Sequence, residues 1–163
     1  MSETVPIGFA RHDHANCVAR RLGEVERSCA ATGLRLTPIR RRVLELLLAE
    51  HRALGAYTII ERLVAGGQSV QPPTVYRALD FLVAHGFAHR VERLNAFVAC
   101  TRPGTAHAPA LLVCRACQGV AEGDGAAESG LLDQAARAAG FHMAGAVIEA
   151  EGLCPACAAA SGR

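Results

Sequence analysis

The chain has 163 residues, enough for one domain or two small ones, and at 51% hydrophobic and 20% charged it has the make-up of a packed globular protein. No run of about 18 apolar residues is present to cross a membrane, and Met1–Arg11 lacks the basic-then-apolar order of a secretory signal. A cytoplasmic protein is therefore expected, with its seven cysteines reduced and available to a metal.

The net charge is +2, and all 17 basic residues are Arg. Residues 1–100 carry 13 Arg against 9 acidic residues (+4), and residues 101–163 carry 4 against 6 (−2). This asymmetry points to an anionic partner for the first part. With 4% aromatic residues and no Trp, stacking on single-stranded bases is not the expected mode.

Residues 1–14 read as a flexible extension. His12, His14 and Cys17 are close enough in sequence to share a metal, but a frayed terminus is the simpler expectation. Residues 15–100 read as one domain. Val18, Leu22, Val25 and Cys29 recur at helical spacing over 15–32, and Gly33 suits the C-cap, which makes Cys29 a small buried apolar residue. Thr37-Pro38 opens a second helix to about Glu50, with Thr37 as cap and Ile39, Val43, Leu46 and Leu47 on the inner face.

A third helix runs from Gly55 to Ala65 with Ile59, Ile60, Leu63 and Val64 inward. Pro72-Pro73 launches a fourth, residues 74–85, with Val75, Ala78, Leu79 and Leu82 inward and Gly86 as its stop. Strands are expected over 87–92 and 96–100, joined by a turn at Arg93-Leu94-Asn95. Three helices followed by a two-stranded wing make a winged helix-turn-helix, with 74–85 as the recognition helix.

Residues 101–109, with Pro103, Gly104 and Pro109, read as a hinge. Residues 110–163 read as a small α/β domain. Strands are expected at 110–114 and 119–122, a helix at 128–139 with Leu131, Leu132 and Ala135 apolar, and a strand over Phe141–Ala150. So small a unit needs a staple or a partner. Cys114-Arg-Ala-Cys117 and Cys154-Pro-Ala-Cys157 supply the staple. Paired C-x2-C spacing turns two sulfurs onto one ion, and two pairs complete a closed four-thiolate structural zinc shell. The 36 residues between Cys117 and Cys154 mean that the site clips two ends of a folded unit. Two disulfides or two redox pairs are the alternatives.

Leu36-Thr37-Pro38, the run from Pro72 to Leu82 (Pro-Pro-Thr-Val-Tyr-Arg-Ala-Leu-Asp-Phe-Leu), Gly86-Phe87-Ala88-His89 and both C-x2-C pairs resemble the ferric uptake regulator family, and within it the zinc uptake regulator branch. The similarity spans about residues 20–158. It implies a metal-activated homodimeric transcription factor, here a zinc-responsive repressor of zinc-uptake and homeostasis genes, with an N-terminal winged helix and a C-terminal α/β dimerisation domain. It implies two zinc ions per subunit, one structural and one regulatory.

His89, Cys100, His107 and Glu122 match that branch's regulatory ligands position by position. Two imidazoles, a thiolate and a carboxylate on either side of a hinge suit a sensor, because weaker donors on parts that move can fill and empty. An iron- or peroxide-responsive regulator of the same family is the alternative. Its clustered histidines before the first C-x2-C are here reduced to His107, and Gly145 stands where such sensors tend to carry a further His. A thiolate in the shell also favours zinc over Fe(II).

The recognition helix should enter the major groove of a palindromic operator. Arg77 is placed to read guanine, and Thr74 and Tyr76 to meet phosphate or thymine methyl. Arg40, Arg41, Arg42, Arg90 and Arg93 are candidates for phosphate contact. A salt bridge from Arg77 to Asp80 or Glu61 is the competing use of that side chain. No enzyme is expected: the His-x-Glu and Pro-Cys-x-x-Cys of zinc deaminases are missing, and four thiolates leave no open position for water.

Overall fold

The structure is a computed structural model that describes residues 8, 9 and 13–162. His12 lies outside the described residues. The chain divides between Thr105 and Ala106 into two compact units; Gly8 and Phe9 belong to the second.

In the first unit α1 spans His14–Thr32, α2 Pro38–Leu48, α3 Ala56–Ala65 and α4 Pro72–Ala84. Asp13 starts α1, its carboxylate accepting the Asn16 N–H at 3.3 Å, and Gly33 ends it at φ 68°. A left-handed C-cap of this kind costs a β-carbon dearly, so glycine is the natural choice. Thr37 stands at the N-cap of α2 in extended conformation, but its side chain makes no capping hydrogen bond, contrary to expectation; Pro38 at the first helical position does the local work. Helix α4 starts two residues earlier than its Thr74 expectation, for the same reason.

Fully buried Val25, Val43, Leu44, Leu47, Ile59, Leu63, Val75, Leu79 and Leu82 fill one core shared by all four helices, together with Phe87. Each such side chain contributes about 1.5–3 kcal/mol by leaving water. The inner face of α2 is rotated from expectation, with Leu44 and Leu48 buried and Ile39 and Leu46 only partly so. In α3 Val64 points outward at 55% exposure. Cys29 is buried in the core, and burial raises its thiol pKa, so it stays a neutral apolar filler.

The wing pairs β1 (Ala88–Val91) with β2 (Ala96–Ala99), antiparallel, with His89 opposite Val98. A 3-10 turn, Glu92–Leu94, and left-handed Asn95 (φ 44°) connect them. Leu54 pairs with β2 as an isolated bridge that the sequence did not announce, exchanging hydrogen bonds of 2.8 and 2.9 Å with Phe97.

The second unit has a three-stranded sheet in the order β4 (Val120–Asp124), β3 (Pro109–Cys114), β5 (Ile148–Gly152). β3 runs antiparallel to β4 and parallel to β5, and α5 (Ala126–Ala138) makes the crossover. Buried Leu111, Val113, Val120 and Ala121 form its thin core. The strand expected over Phe141–Ala150 is instead confined to β5, and residues 141–147 are irregular. Helix α5 buries none of its residues: Leu131 is 67% and Leu132 47% exposed, with Phe141 and Val147 exposed nearby in sequence. A short helix α6 (Pro155–Ala160) closes the unit.

Candidate metal centre and nucleic-acid interface

The cysteine site is built by backbone turns. β3 delivers Cys114, and the chain then folds back: the Gln118 N–H donates to the Cys114 carbonyl at 2.8 Å and the Cys114 N–H to the Gly119 carbonyl at 2.9 Å. Gln118 takes φ 58° to close the loop, which aims Cys117 at the same point as Cys114. From the other end, Cys154 is the N-cap of α6, Pro155 opens the helix, and Cys157 lies in its first turn.

The four sulfurs lie within 4.8 Å of one another. Cys117 Sγ and Cys154 Sγ are 3.8 Å apart. With zinc–sulfur bonds of about 2.3 Å, the edge of a tetrahedron is about 3.8 Å, so the donors fit one zinc ion. All seven cysteines are free thiols, which sets the disulfide alternative aside.

The local electrostatics favour the thiolate at Cys114 and disfavour it at Cys117 and Cys157. Cys114 is lowered to about 6 by N–H donors of Cys154 and Cys117; the Cys154 N–H lies 3.3 Å from its sulfur. Cys157 is pushed up to about 12, mainly by sharing hydrogen bonds with the Cys154 and Cys114 sulfurs. Cys117 is raised, first by burial. Protons are thus divided among crowded thiols, the situation a divalent cation resolves by converting all four to ligands.

The remaining donors stand as one pair in each unit. In the first, His89 on β1 and Cys100 just after β2 are both buried. His89 faces Val98 across the wing, so Cys100, two residues further, is its diagonal neighbour on the same face. The Cys100 N–H donates to the Phe87 carbonyl at 3.0 Å, and its sulfur accepts the Arg102 N–H at 3.3 Å. In the second unit, His107 Nε2 meets Glu122 Oε1 at 2.7 Å, with side chains only 8% and 3% exposed. Register on β3 and β4 places Glu122 opposite Leu111. A buried imidazole and carboxylate in contact, and a buried imidazole beside a thiol, are donor types that a metal ion can take.

On α4, Thr74, Tyr76 and Arg77 lie outside the core. Tyr76 is 43% exposed, and Arg77 Nη2 reaches Thr74 Oγ1 at 3.5 Å. Of the other arginines, Arg90 on the wing holds Asn95 Oδ1 at 3.1 Å and Glu92 at 3.3 Å, and Arg93 is exposed on the wing turn. Arg41 and Arg42 are already engaged with carboxylates of Glu26 and Glu45. Arg40 packs on Phe81. Sequence reasoning missed the wing contact of Asn95 and the helix α6; the Cys154-Pro155 order, an N-cap followed by Pro at the first helical position, was the available signal for the latter.

A winged helix-turn-helix unit followed by an α/β unit clipped by four cysteines defines a metal-site-bearing winged-helix protein. The profile of the Ferric uptake regulator family matches residues 31–150. The Zinc uptake regulation protein of Escherichia coli (strain K12) is 39% identical over 139 residues, which cover 83% of this chain and 80% of that protein. Among solved structures, a zinc uptake regulator complexed with zinc and DNA matches with a TM-score of 0.83 at 36% identity, over 90% of this chain and 98% of that one. A structure of holo XcZur matches with a TM-score of 0.79 at 42% identity, over 85% and 96%. The chain belongs to the ferric uptake regulator family.

Proposed function

We propose that this protein is a zinc-responsive transcriptional repressor that binds palindromic operator DNA as a zinc-loaded homodimer and controls zinc-uptake and homeostasis genes. The observation that carries the reading is the donor inventory on a fold whose relative was solved with zinc and DNA: one closed four-sulfur group, a buried His89–Cys100 pair in one unit and a buried His107–Glu122 pair in the other. The protein acts in the cytoplasm and is a regulator rather than an enzyme, since four thiolates leave no coordination position for a substrate. Among the described residues no helix is long and apolar enough to cross a membrane.

Two zinc ions per subunit follow. Cys114, Cys117, Cys154 and Cys157 would hold the structural one; His89, Cys100, His107 and Glu122 would hold the regulatory one. When bound, zinc supplies a positive centre that accepts thiolate, imidazole and carboxylate donors together. The division of labour lies in the chain. His89 and Cys100 belong to the wing, His107 and Glu122 to the unit beyond the hinge, so joint ligation restrains residues 101–109 and selects one orientation of the reading head. The exposed apolar residues Leu131, Leu132, Phe141 and Val147 are the surface the dimer would bury. On DNA, Arg77 reads guanine, Thr74 and Tyr76 contact phosphate or thymine methyl, and Arg90 and Arg93 meet phosphates from the wing.

The test is a metal count joined to a zinc-titrated gel shift on a candidate palindrome. About two zinc ions per chain, with retardation that appears only as the second ion loads, supports the reading. One ion per chain, or a shift indifferent to zinc, refutes it.

A further inference from the structure

The first five residues of α2 include three consecutive arginines, Arg40, Arg41 and Arg42. Positive charge is unfavourable there, because the N-terminus of a helix is the positive end of its dipole. Carboxylates relieve two of them. Arg41 pairs with Glu26 and, at 3.0 Å, with Glu45; Arg42 reaches Glu45 at 3.0 Å. Arg40 is relieved in another way. Its Nη1 donates to the Arg35 carbonyl at 2.7 Å, and its Cζ lies 3.6 Å from the centre of the Phe81 ring. The π-face of an aromatic ring carries negative charge density and holds a guanidinium well.

Phe81 belongs to α4. It follows Arg77 by four residues and Thr74 by seven, so the three share one helix face. The ring also packs on His85 at 4.6 Å and on Phe87 at 6.3 Å between centroids, so it is held from both sides. Arg40 therefore grips α4 one helical turn from Arg77.

We propose that Arg40 is a positioning residue for the DNA-reading helix: clamped between the Arg35 carbonyl and the Phe81 ring, it fixes the rotation of α4 and so the approach of Arg77 and Thr74 to base edges. The inference rests on the DNA-binding reading above and reassigns Arg40 from the phosphate contact expected from sequence. Arginine is needed because a planar, delocalised cation stacks on a ring while donating from its edge, which an ammonium does poorly.

The test measures zinc-loaded full-length protein on operator and on scrambled DNA over a range of salt. The variants are Arg40→Gln, Arg40→Lys, Phe81→Leu and Arg40→Gln/Phe81→Leu, with Arg93→Gln as a phosphate-contact comparison. Arg40→Gln should weaken operator binding about tenfold, the scale of one lost base contact, and leave the slope of log affinity against log salt as in the wild type. Phe81→Leu should repeat that result, the double variant should be no worse than either single one, and Lys at position 40 should fail to rescue. A slope flatter by about 0.9, equal loss on both DNAs, or rescue by Lys would make Arg40 a phosphate contact and overturn the proposal. Thermal shifts of the same variants give a readout without DNA: non-additive losses support the clamp and additive ones overturn it. A wild-type protein that fails to bind DNA with zinc would refute the functional reading and leave the thermal cycle to decide the clamp.

Discussion

Replacing Cys114 by serine should unfold the second unit and spare the first. The second unit's core is small: Leu111, Val113 and Val120 are its largest fully or nearly fully buried side chains, and Ala121 adds little. At about 1.5–3 kcal/mol each, three such side chains supply roughly 5–9 kcal/mol before any ordering entropy is set against them. A structural zinc in a small domain contributes about 10–16 kcal/mol of apparent binding energy at neutral pH, as much as that core or more. Helix α5 buries no residue in the chain, so it cannot compensate. Cys114 is also the thiol that gathers the Cys154 N–H, so serine removes a ligand and the junction between the two ends of the site. The first unit has its own core of four helices and the wing, and is independent of the change. Calorimetry should show two transitions in the wild type and only the helical unit's in the Cys114→Ser variant. A second-unit transition within a few degrees of wild type would refute the reasoning, because the fold would then not depend on the metal.

Cys100→Ser should leave both transitions in place and abolish the response to zinc, since Cys100 lies on the wing face beside His89 and outside the four-sulfur group; a zinc-dependent gel shift like the wild type's would reject its sensing role. Arg77→Ala should cost about 1–3 kcal/mol of operator affinity and relax sequence preference, and equal losses on operator and scrambled DNA would reject base readout. Acid should release the structural ion, because protons compete with zinc for the thiolates. Without metal Cys114 is held at about 6, below its ordinary 9.0, so the fold favours its thiolate; that preference is complete above 9.0 and is lost as pH falls through about 6, and a bound ion extends it to lower pH. Zinc retained after desalting should fall on acidification, and full retention at about pH 3, where carboxylates too are protonated, would contradict the assignment.

The helical unit was legible because its signals are local. Pro38 and Pro72 mark helix starts, Gly33 a stop, and the α4 stripe Val75, Ala78, Leu79 and Leu82 is buried as its spacing predicts. Where several apolar residues crowd one helix, periodicity does not choose among registers: Leu44, Leu46, Leu47 and Leu48 fit two faces of α2, and packing in the shared core buries Leu44, Leu47 and Leu48 and leaves Leu46 partly exposed. Long-range pairing was not legible at all. The Leu54–Phe97 bridge joins residues far apart in sequence, and the apolar run Phe141–Ala150 becomes strand only at Ile148, where it meets Ala110 in parallel register. The four-cysteine group was readable from spacing alone. His107 and Glu122 were not: fifteen residues apart, they meet only through the β3–β4 pairing.

Zinc held by His89, Cys100, His107 and Glu122 is proposed to control the grip on DNA. The decisive experiment is fluorescence anisotropy of one labelled palindromic fragment under zinc-buffered conditions, with the four-cysteine site kept loaded throughout. Operator affinity should rise about 5–150-fold as the regulatory ligands fill, the usual range of coupling between two sites. Equal affinity at low and high free zinc would contradict it.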